Sequence, residues 1–289
     1  MVAGKREMSM KKWFAVIGDP IAQSKSPEMH NAWYEEANVD ATYIPIHVKP
    51  EHLQQAVASF KLLGTSGWNV TIPHKQAIIP FLDELDELAE KMGAVNTVVR
   101  TAEGKLKGYN TDGPGFVKSL EHVIGTTKRE VPVLLIGAGG AARGIAFALQ
   151  LTGYTNITIA NRTVEKAQQI IDELHAGQAV SMQEAEQSLA NYEIFIQTTP
   201  AGMTTGDFAL PFSLEKFPAG AIAADIVYNP LMTPFLQAAE LKGATIVNGL
   251  GMFVHQGAIA YEHWLGHYPN TNAMIARLTA QLGGNYVNR

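Results

Sequence analysis

The stretch "VLLIGAGGAARG", Val133 to Gly144, decides how this chain folds. Its first four residues are apolar and form a buried strand. The run then turns on Gly137-x-Gly139-x-x-Ala142 into a helical pattern. Glycine at the first position permits a tight turn. At the second it lets the backbone approach a pyrophosphate. The helix start that follows offers unpaired N–H groups and the positive end of its dipole to phosphate. The glycine pattern alone is weak evidence and also describes a turn with no ligand. Set between a strand and a helix, with a second strand "NITIAN" about 20 residues later, it reads as a dinucleotide site.

The second strand says which dinucleotide. It ends "TIANRT", where an NAD site usually has Asp or Glu to accept hydrogen bonds from the ribose 2′-OH. Here Asn161, Arg162 and Thr163 follow, with Lys166 a turn on. No carboxylate repels a 2′-phosphate, and a guanidinium, a hydroxyl and an ammonium are present to bind it. The plain alternative is that Arg162 and Lys166 are surface charges. A cation in a helix's first turn opposes the dipole, which counts against that alternative. The reading is NADP.

Outward from this unit, strand-like and helix-like segments alternate along the chain, so the fold class is α/β. Before it come a strand at Trp13–Gly18, a helix from Ser26 to Asn38 with Ser26 as N-cap, and a strand "TYIPIHV" whose Pro45 suits an edge. A helix at Glu51–Leu63, a strand "GWNVTI" and a helix at Asp83–Met92 follow. "NTVVR" and "KLKGYN" make a hairpin around Glu103-Gly104. After the first βα unit come a helix at Val164–His175, a small helix at Met182–Ala190, and strands "EIFIQT" and "AIAADIV". A helix at Thr233–Leu241, a strand "ATIVN" and helices at Met252–Gly266 and Asn270–Leu282 complete the series. Two domains are expected, 1–112 and 113–249.

The 289 residues are 46% apolar and 17% charged, which provides a large core and excludes a disordered chain. A net charge of −5 without a basic block argues against nucleic acid as a partner. No apolar run approaches the roughly 18 residues of a membrane span. The opening "MVAGKREMSMKK" lacks the apolar core of a secretory signal and reads as a frayed extension. With no cysteine, disulfides, thiolate metal sites and thiol nucleophiles are excluded, which suits a reducing, cytoplasmic setting. His30, His47, His74 and His255 lack metal-ligand spacing and read as structural or exposed, so no metal is expected.

"NVTIPHKQ", Asn69 to Gln76, places an amide, a hydroxyl and an ammonium at the end of an apolar strand. Most lysines are solvated surface groups. Lys75 has Asn69 and Thr71 beside it and "GYNTDGPG" further along, a set suited to a small polyhydroxy acid. Asp112 in that stretch either caps the next helix or pairs with Lys75. An ammonium can give a proton to a carbonyl oxygen while hydride reaches the carbon. Ser24 and Ser26 in "SKSP" would suit a carboxylate at a helix start, although capping alone would explain Ser26.

Taken together, "SKSP" with His30-Asn31, "NVTIPHK", "GAVNT", "GYNTDG", "GAGGAARG", "NRT", "DIVYNPLMTP" and "GLGMFVHQGA" resemble shikimate dehydrogenase over nearly the whole chain. The resemblance implies a substrate-binding catalytic domain and a Rossmann-type NADP domain. It also implies that helices in 250–289 pack back on the first domain. The implied reaction is the reversible reduction of 3-dehydroshikimate to shikimate, in aromatic amino acid and chorismate biosynthesis, by a monomer or homodimer. Lys75 and Asp112 would be the catalytic pair. Ser24, Ser26, Thr71 and Tyr228 would hold the carboxylate, and Asn96, Lys75, Asp112 and Gln256 the ring hydroxyls. Gly137, Ala138, Gly139, Gly140 and Ala141 would cradle the pyrophosphate, and Asn161, Arg162, Thr163 and Lys166 the ribose phosphate. Ile226 and Gly249 would lie near the nicotinamide. One stretch departs from the family pattern. "QTTPAGM" has Gln197 and Pro200 where Asn and Ser are more usual, and Pro200 removes an N–H donor near the nicotinamide. The rivals are a quinate/shikimate dehydrogenase and an NADPH-binding sensor without turnover. Ser26 and Asn161-Arg162 speak against the first, and the presence of both Lys75 and Asp112 against the second.

Overall fold

A computed structural model describes residues 11–202 and 212–283. The expected frayed extension lies, up to residue 10, outside the described residues, as does Met203 of "QTTPAGM". The chain divides into two compact units. One runs up to Tyr109 and includes Ala260–Pro269; the other holds Asn110–Ile259 and the chain from Asn270 on. The sequence reading puts the first boundary at 112.

The first unit contains β1 (Lys12–Gly18), α1 (Ser26–Glu36), β2 (Ala41–His47), α2 (Leu53–Leu63), β3 (Gly67–Val70), α3 (His74–Ala77), β4 (Glu84–Leu85), α4 (Glu87–Met92), β5 (Thr97–Arg100) and β6 (Leu106–Tyr109). Its sheet has the order β2-β1-β3-β5-β6-β4. β2, β1 and β3 are parallel, while β5 runs against both β3 and β6. β2 lies at the edge, where Pro45 costs the ladder least. Ala15, Ile17, Trp68, Val70 and Val98 anchor the core of this sheet, and all are buried. The helix expected at Asp83–Met92 is shorter. Glu84 and Leu85 pair with Lys107 and Gly108 of β6, and Asp86 caps α4 by accepting the Leu88 and Ala89 N–H groups at 3.2 and 3.0 Å. Charged residues ahead of that cap have the composition of a first turn but serve an edge strand.

The second unit contains α5 (Asp112–Ile124), β7 (Val133–Ile136), α6 (Gly140–Leu151), β8 (Ile157–Ala160), α7 (Val164–Leu174), β9 (Gln178–Val180), α8 (Met182–Gln187), β10 (Ile194–Gln197), β11 (Ile222–Asp225), α9 (Pro234–Glu240), β12 (Thr245–Val247), α10 (Gly249–Leu265, of which the part to Ile259 groups here) and α11 (Thr271–Gln281). Its six strands are all parallel, in the order β12-β11-β10-β7-β8-β9. This is a Rossmann-type sheet. Strand order reverses between β7 and β10, and the crevice at the carboxyl ends of those strands is where ligands bind in such folds. β9 escapes the sequence reading because three residues give no period. The Ser181–Glu184 capping box closes that strand and starts α8.

Candidate active site

In the first unit, register gathers the expected substrate residues at one sheet end. Ile17 of β1 faces Val70 of β3 in a parallel pair, so the loops after both strands leave from the same end. β5 runs the other way, with Thr97 opposite Asn69, so Asn96 enters at that end too. Ser24, Ser26, Thr71, Lys75 and Asn96 therefore share one neighbourhood. The Thr71 N–H donates to the Ile17 carbonyl at 2.9 Å, and the Lys75 carbonyl accepts the Val95 N–H at 2.8 Å. The His74 Nε2 lies 2.6 Å from the Val48 carbonyl, so that nitrogen carries the hydrogen. These bonds hold α3, a single turn, with Lys75 half-buried.

Two expectations about hydroxyls and amides are corrected here. Ser26 is not the N-cap of α1. Lys25 takes that position with αR backbone angles and no side-chain cap bond, and Ser26 is the first helical residue. Its N–H is met by the Ser24 hydroxyl at 3.3 Å, and its side chain bonds the Tyr43 hydroxyl. Asn69 does not reach for a ligand. Its Nδ2 donates to the Asn96 carbonyl at 3.1 Å and to Thr97 Oγ1 at 2.9 Å, and its Oδ1 accepts from the Tyr43 hydroxyl at 2.6 Å. A buried amide must be paired, and these partners take both of its donors. Asn69 builds the site rather than lining it.

In the second unit, Asp112 is the first residue of α5. The N-cap is Thr111, which makes no side-chain cap bond, so the capping alternative for Asp112 fails. Its N–H is held by Asn110 Oδ1 at 3.1 Å. A Cβ on Gly115 would lie 2.6 Å from the Gln256 backbone nitrogen, so α5 and α10 touch there without side chains between them. Asp112 stands three residues before Gly115, on the same face of α5. Gln256 Nε2 donates to the Phe253 carbonyl at 2.8 Å, and the Tyr228 ring stacks on Phe253 at 5.0 Å between centroids. Lys75 belongs to the first unit and Asp112 to the second.

The dinucleotide cradle is built by leaving side chains out. Gly137 has φ +109°, and a Cβ there would sit 2.7 Å from Thr198 Oγ1, itself bonded to the Ile136 carbonyl at 2.7 Å. Nothing lies within 4 Å of where a Cβ on Gly139 or Gly140 would be. Gly139 caps the twelve-residue α6 without a side-chain bond. Ala138 and Ala141 add only methyl groups. This open, uncapped helix start fits a pyrophosphate. At the end of β8, Asn161 Nδ2 donates to the Thr163 carbonyl at 2.8 Å, and Arg162, Thr163 and Lys166 are exposed. The Ile226 N–H meets the Gln197 carbonyl at 3.2 Å, and the Gly249 N–H meets the Val227 carbonyl at 3.0 Å. A Cβ on Gly249 would collide with the Ile226 carbonyl. Gln197 is buried, its Oε1 accepting the Thr199 N–H at 2.9 Å, and so tightens the turn before Pro200.

Sequence reasoning misses two residues. It sees Tyr43 only as part of a strand. Asp225 ends β11 fully buried, accepting the Val227 N–H at 3.0 Å and the Thr233 hydroxyl at 2.7 Å. Burial pushes its carboxyl up to about 7, against these hydrogen bonds. An acid within "AIAADIV", directly before the loop that carries Ile226 and Tyr228, is the available signal. The histidines are structural or exposed: His30, His74 and His255 are buried, and His47 is exposed and lies 2.6 Å from Asp19.

Three family models match in chain order. They are the shikimate dehydrogenase substrate binding domain at residues 16–98, shikimate / quinate 5-dehydrogenase at 120–204, and the shikimate 5′-dehydrogenase C-terminal domain at 249–279. A shikimate dehydrogenase (NADP+) of Lysinibacillus sphaericus (strain C3-41) is 71% identical over 276 residues, covering 96% of this chain and all of the relative. Among solved structures, a shikimate dehydrogenase in complex with NADP+ is 38% identical with a TM-score of 0.86, covering 94% of this chain and 96% of the other. The enzyme of Thermus thermophilus, in complex with NADP(H) and shikimate, is 34% identical with a TM-score of 0.83, covering 94% and 99%. Identity of this extent across both sheets and the closing helices, with the motifs in the same order, means that this chain belongs to the shikimate dehydrogenase family.

Proposed function

We propose that Lys75 moves the proton in the reaction of this NADP-dependent shikimate dehydrogenase, with Asp112 as its partner. The chain is an oxidoreductase that interconverts 3-dehydroshikimate and shikimate. When bound, NADPH supplies the hydride to the ketone carbon. The Lys75 ammonium gives its proton to the ketone oxygen, so a hydride and a proton together make the hydroxyl. In oxidation the unprotonated amine takes that proton back. Ser24, Ser26 and Thr71 in the first unit and Tyr228 in the second hold the carboxylate. Asn96, Asp112 and Gln256 accept or donate to the ring hydroxyls. Gly137 to Ala141 receive the pyrophosphate, Asn161 to Lys166 the 2′-phosphate, and Ile226 and Gly249 border the nicotinamide.

The observation that carries this reading is the register of β1, β3 and β5. It brings two serines, a threonine, a lysine and an asparagine to one sheet end. We place the reaction in the cytoplasm, which a cysteine-free chain suits, and assign it to a monomer or homodimer. Among the described residues no helix is long and apolar enough to cross a membrane. Initial rates with shikimate and quinate, each with NADP and NAD, test the reading. Shikimate with NADP should be the fastest pair. A preference for quinate with NAD would establish the quinate rival, and no turnover with any pair would establish a sensor.

A further inference from the structure

A chain of buried hydrogen bonds joins the two ends of the substrate site in the first unit, and Tyr43 is its central link. The Tyr43 ring stacks on His30 at 4.4 Å between centroids and 5° between planes, and only 1% of the residue is exposed. The His30 ring is fully buried, with both nitrogens unpartnered, so it acts as a packing surface. The position of the Tyr43 hydroxyl is thus fixed by stacking.

The direction of the bonds follows from the one group that can only accept. The Asn96 backbone carbonyl faces Asn69 Nδ2, which fixes the Asn69 amide with its oxygen towards Tyr43. The tyrosine must then donate to Asn69 Oδ1, over 2.6 Å. Burial holds the phenol well above its ordinary value, so it keeps the proton it donates. On its other side the phenol oxygen meets the Ser26 side chain. Asn69 passes the order on. Its Nδ2 holds Thr97 Oγ1, and the Thr97 hydroxyl donates to Asn96 Oδ1 at 3.0 Å. The Asn96 carboxamide is therefore turned with its oxygen towards Thr97 and its nitrogen to the other side.

We propose that Tyr43 is a positioning residue for substrate, its hydroxyl fixing Ser26 at the carboxylate end and, through Asn69 and Thr97, Asn96 at the ring-hydroxyl end. This rests on the roles given to Ser26 and Asn96 above. The phenol's one hydrogen goes to Asn69, so the Ser26 hydroxyl donates to the phenol oxygen; this bond fixes the Ser26 rotamer, and an arriving carboxylate takes over that hydrogen. Without the anchor, Ser26 samples other rotamers and Asn69 Oδ1 is left buried without a donor. Both ends of the site then loosen, and substrate affinity falls.

The test is steady-state kinetics of Tyr43→Phe, which keeps the stacked ring and deletes the hydroxyl. The KM for shikimate should rise roughly tenfold, the worth of one buried hydrogen bond. kcat should change less than KM, and the KM for NADP should stay within about twofold of wild type. Ser26→Ala and Asn96→Ala are measured alongside, and Tyr43→Phe with Ser26→Ala should lose less than the product of the two single effects. If Ser26→Ala and Asn96→Ala raise the KM but Tyr43→Phe only lowers Tm, Tyr43 is structural and the inference is overturned. If neither Ser26→Ala nor Asn96→Ala moves the KM, the substrate roles themselves are wrong and the inference falls with them. Should Tyr43→Phe fail to fold, Thr97→Val decides: it removes the last link without changing shape, and a wild-type KM for shikimate would overturn the chain as described.

Discussion

At the end of the β1–β3–β5 sheet, side chains are packed against side chains. Tyr43, Asn69 and Thr97 are all buried, and each is bonded to the next. At the β7–β10 crevice the chain does the opposite. Gly137 admits no Cβ, and Gly139 and Gly140 face open space. The difference follows from the ligands. A small ring with several distinct oxygens is told from its relatives by fixed side chains, and each needs support behind it. A pyrophosphate is a diffuse anion met by backbone N–H groups, which come closer when side chains are absent. In the second unit the side chains proposed to give specificity stand at the end of β8, where Arg162, Thr163 and Lys166 are exposed.

The largest effect should come from the one residue assigned to chemistry. Lys75→Met keeps much of the stem and removes the ammonium, so turnover should fall by roughly 10²–10⁴ while the KM for shikimate changes little. Lys75→Arg should not rescue it, because guanidinium does not give up its proton. Next in size is Arg162→Ala. A charge-assisted contact is worth about 1.5–3 kcal/mol, so the KM for NADP should rise roughly ten- to a hundredfold, and that for NAD much less. Equal effects on the two cofactors would show that Arg162 does not read the 2′-phosphate.

A paired substitution sharpens the contrast between the two means of recognition. Gly139→Ala puts a methyl group into open space, so Tm should hold while the KM for NADP rises by about tenfold. Asn69→Ala removes partners from buried groups, so it should destabilise by about 1–3 kcal/mol as well as weaken shikimate. Thermal unfolding and cofactor titration of both variants would break the contrast if Gly139→Ala proved the less stable.

The smallest effects concern pH, and the two units should differ in sign. Burial lowers His30 to about 3, below its ordinary value, so its contribution to stability is full above about 6.5 and is lost as pH falls towards 3. Asp225 is raised to about 7, so its contribution is full below the ordinary carboxyl range near 4 and is lost as pH rises through about 7. His30→Phe should therefore flatten the acid side of a Tm-against-pH curve. Asp225→Asn should flatten the decline between about pH 4 and 7. Parallel slopes for both variants and the wild type would show that neither group is linked to folding.

Much of the second unit was legible because its signals are local. A strand, a glycine turn, a helix start and the residues after the second strand lie within one βα unit, and α6 starts directly after the glycine turn. The first unit was harder to read. Glu84–Leu85 is a strand only because β6 lies beside it, and nothing within two residues reveals that. The individual site residues were legible as types, and the ordered motifs carried the family. The work of Asn69 was not legible, because its three partners come from other strands and from the turn into β5. For the same reason Ser26 has the look of a cap in the sequence, when its side chain is taken by a tyrosine seventeen positions on.

The claim that Lys75 moves the proton is tested most directly by the pH dependence of shikimate oxidation at saturating NADP, in wild type and Lys75→Met. Oxidation needs an unprotonated acceptor, so wild-type turnover should climb towards alkaline pH. In Lys75→Met the residual turnover should be low and should lose that rise. A mutant that keeps the wild-type profile, or that loses only affinity for shikimate, would contradict the assignment and leave Lys75 a substrate clamp.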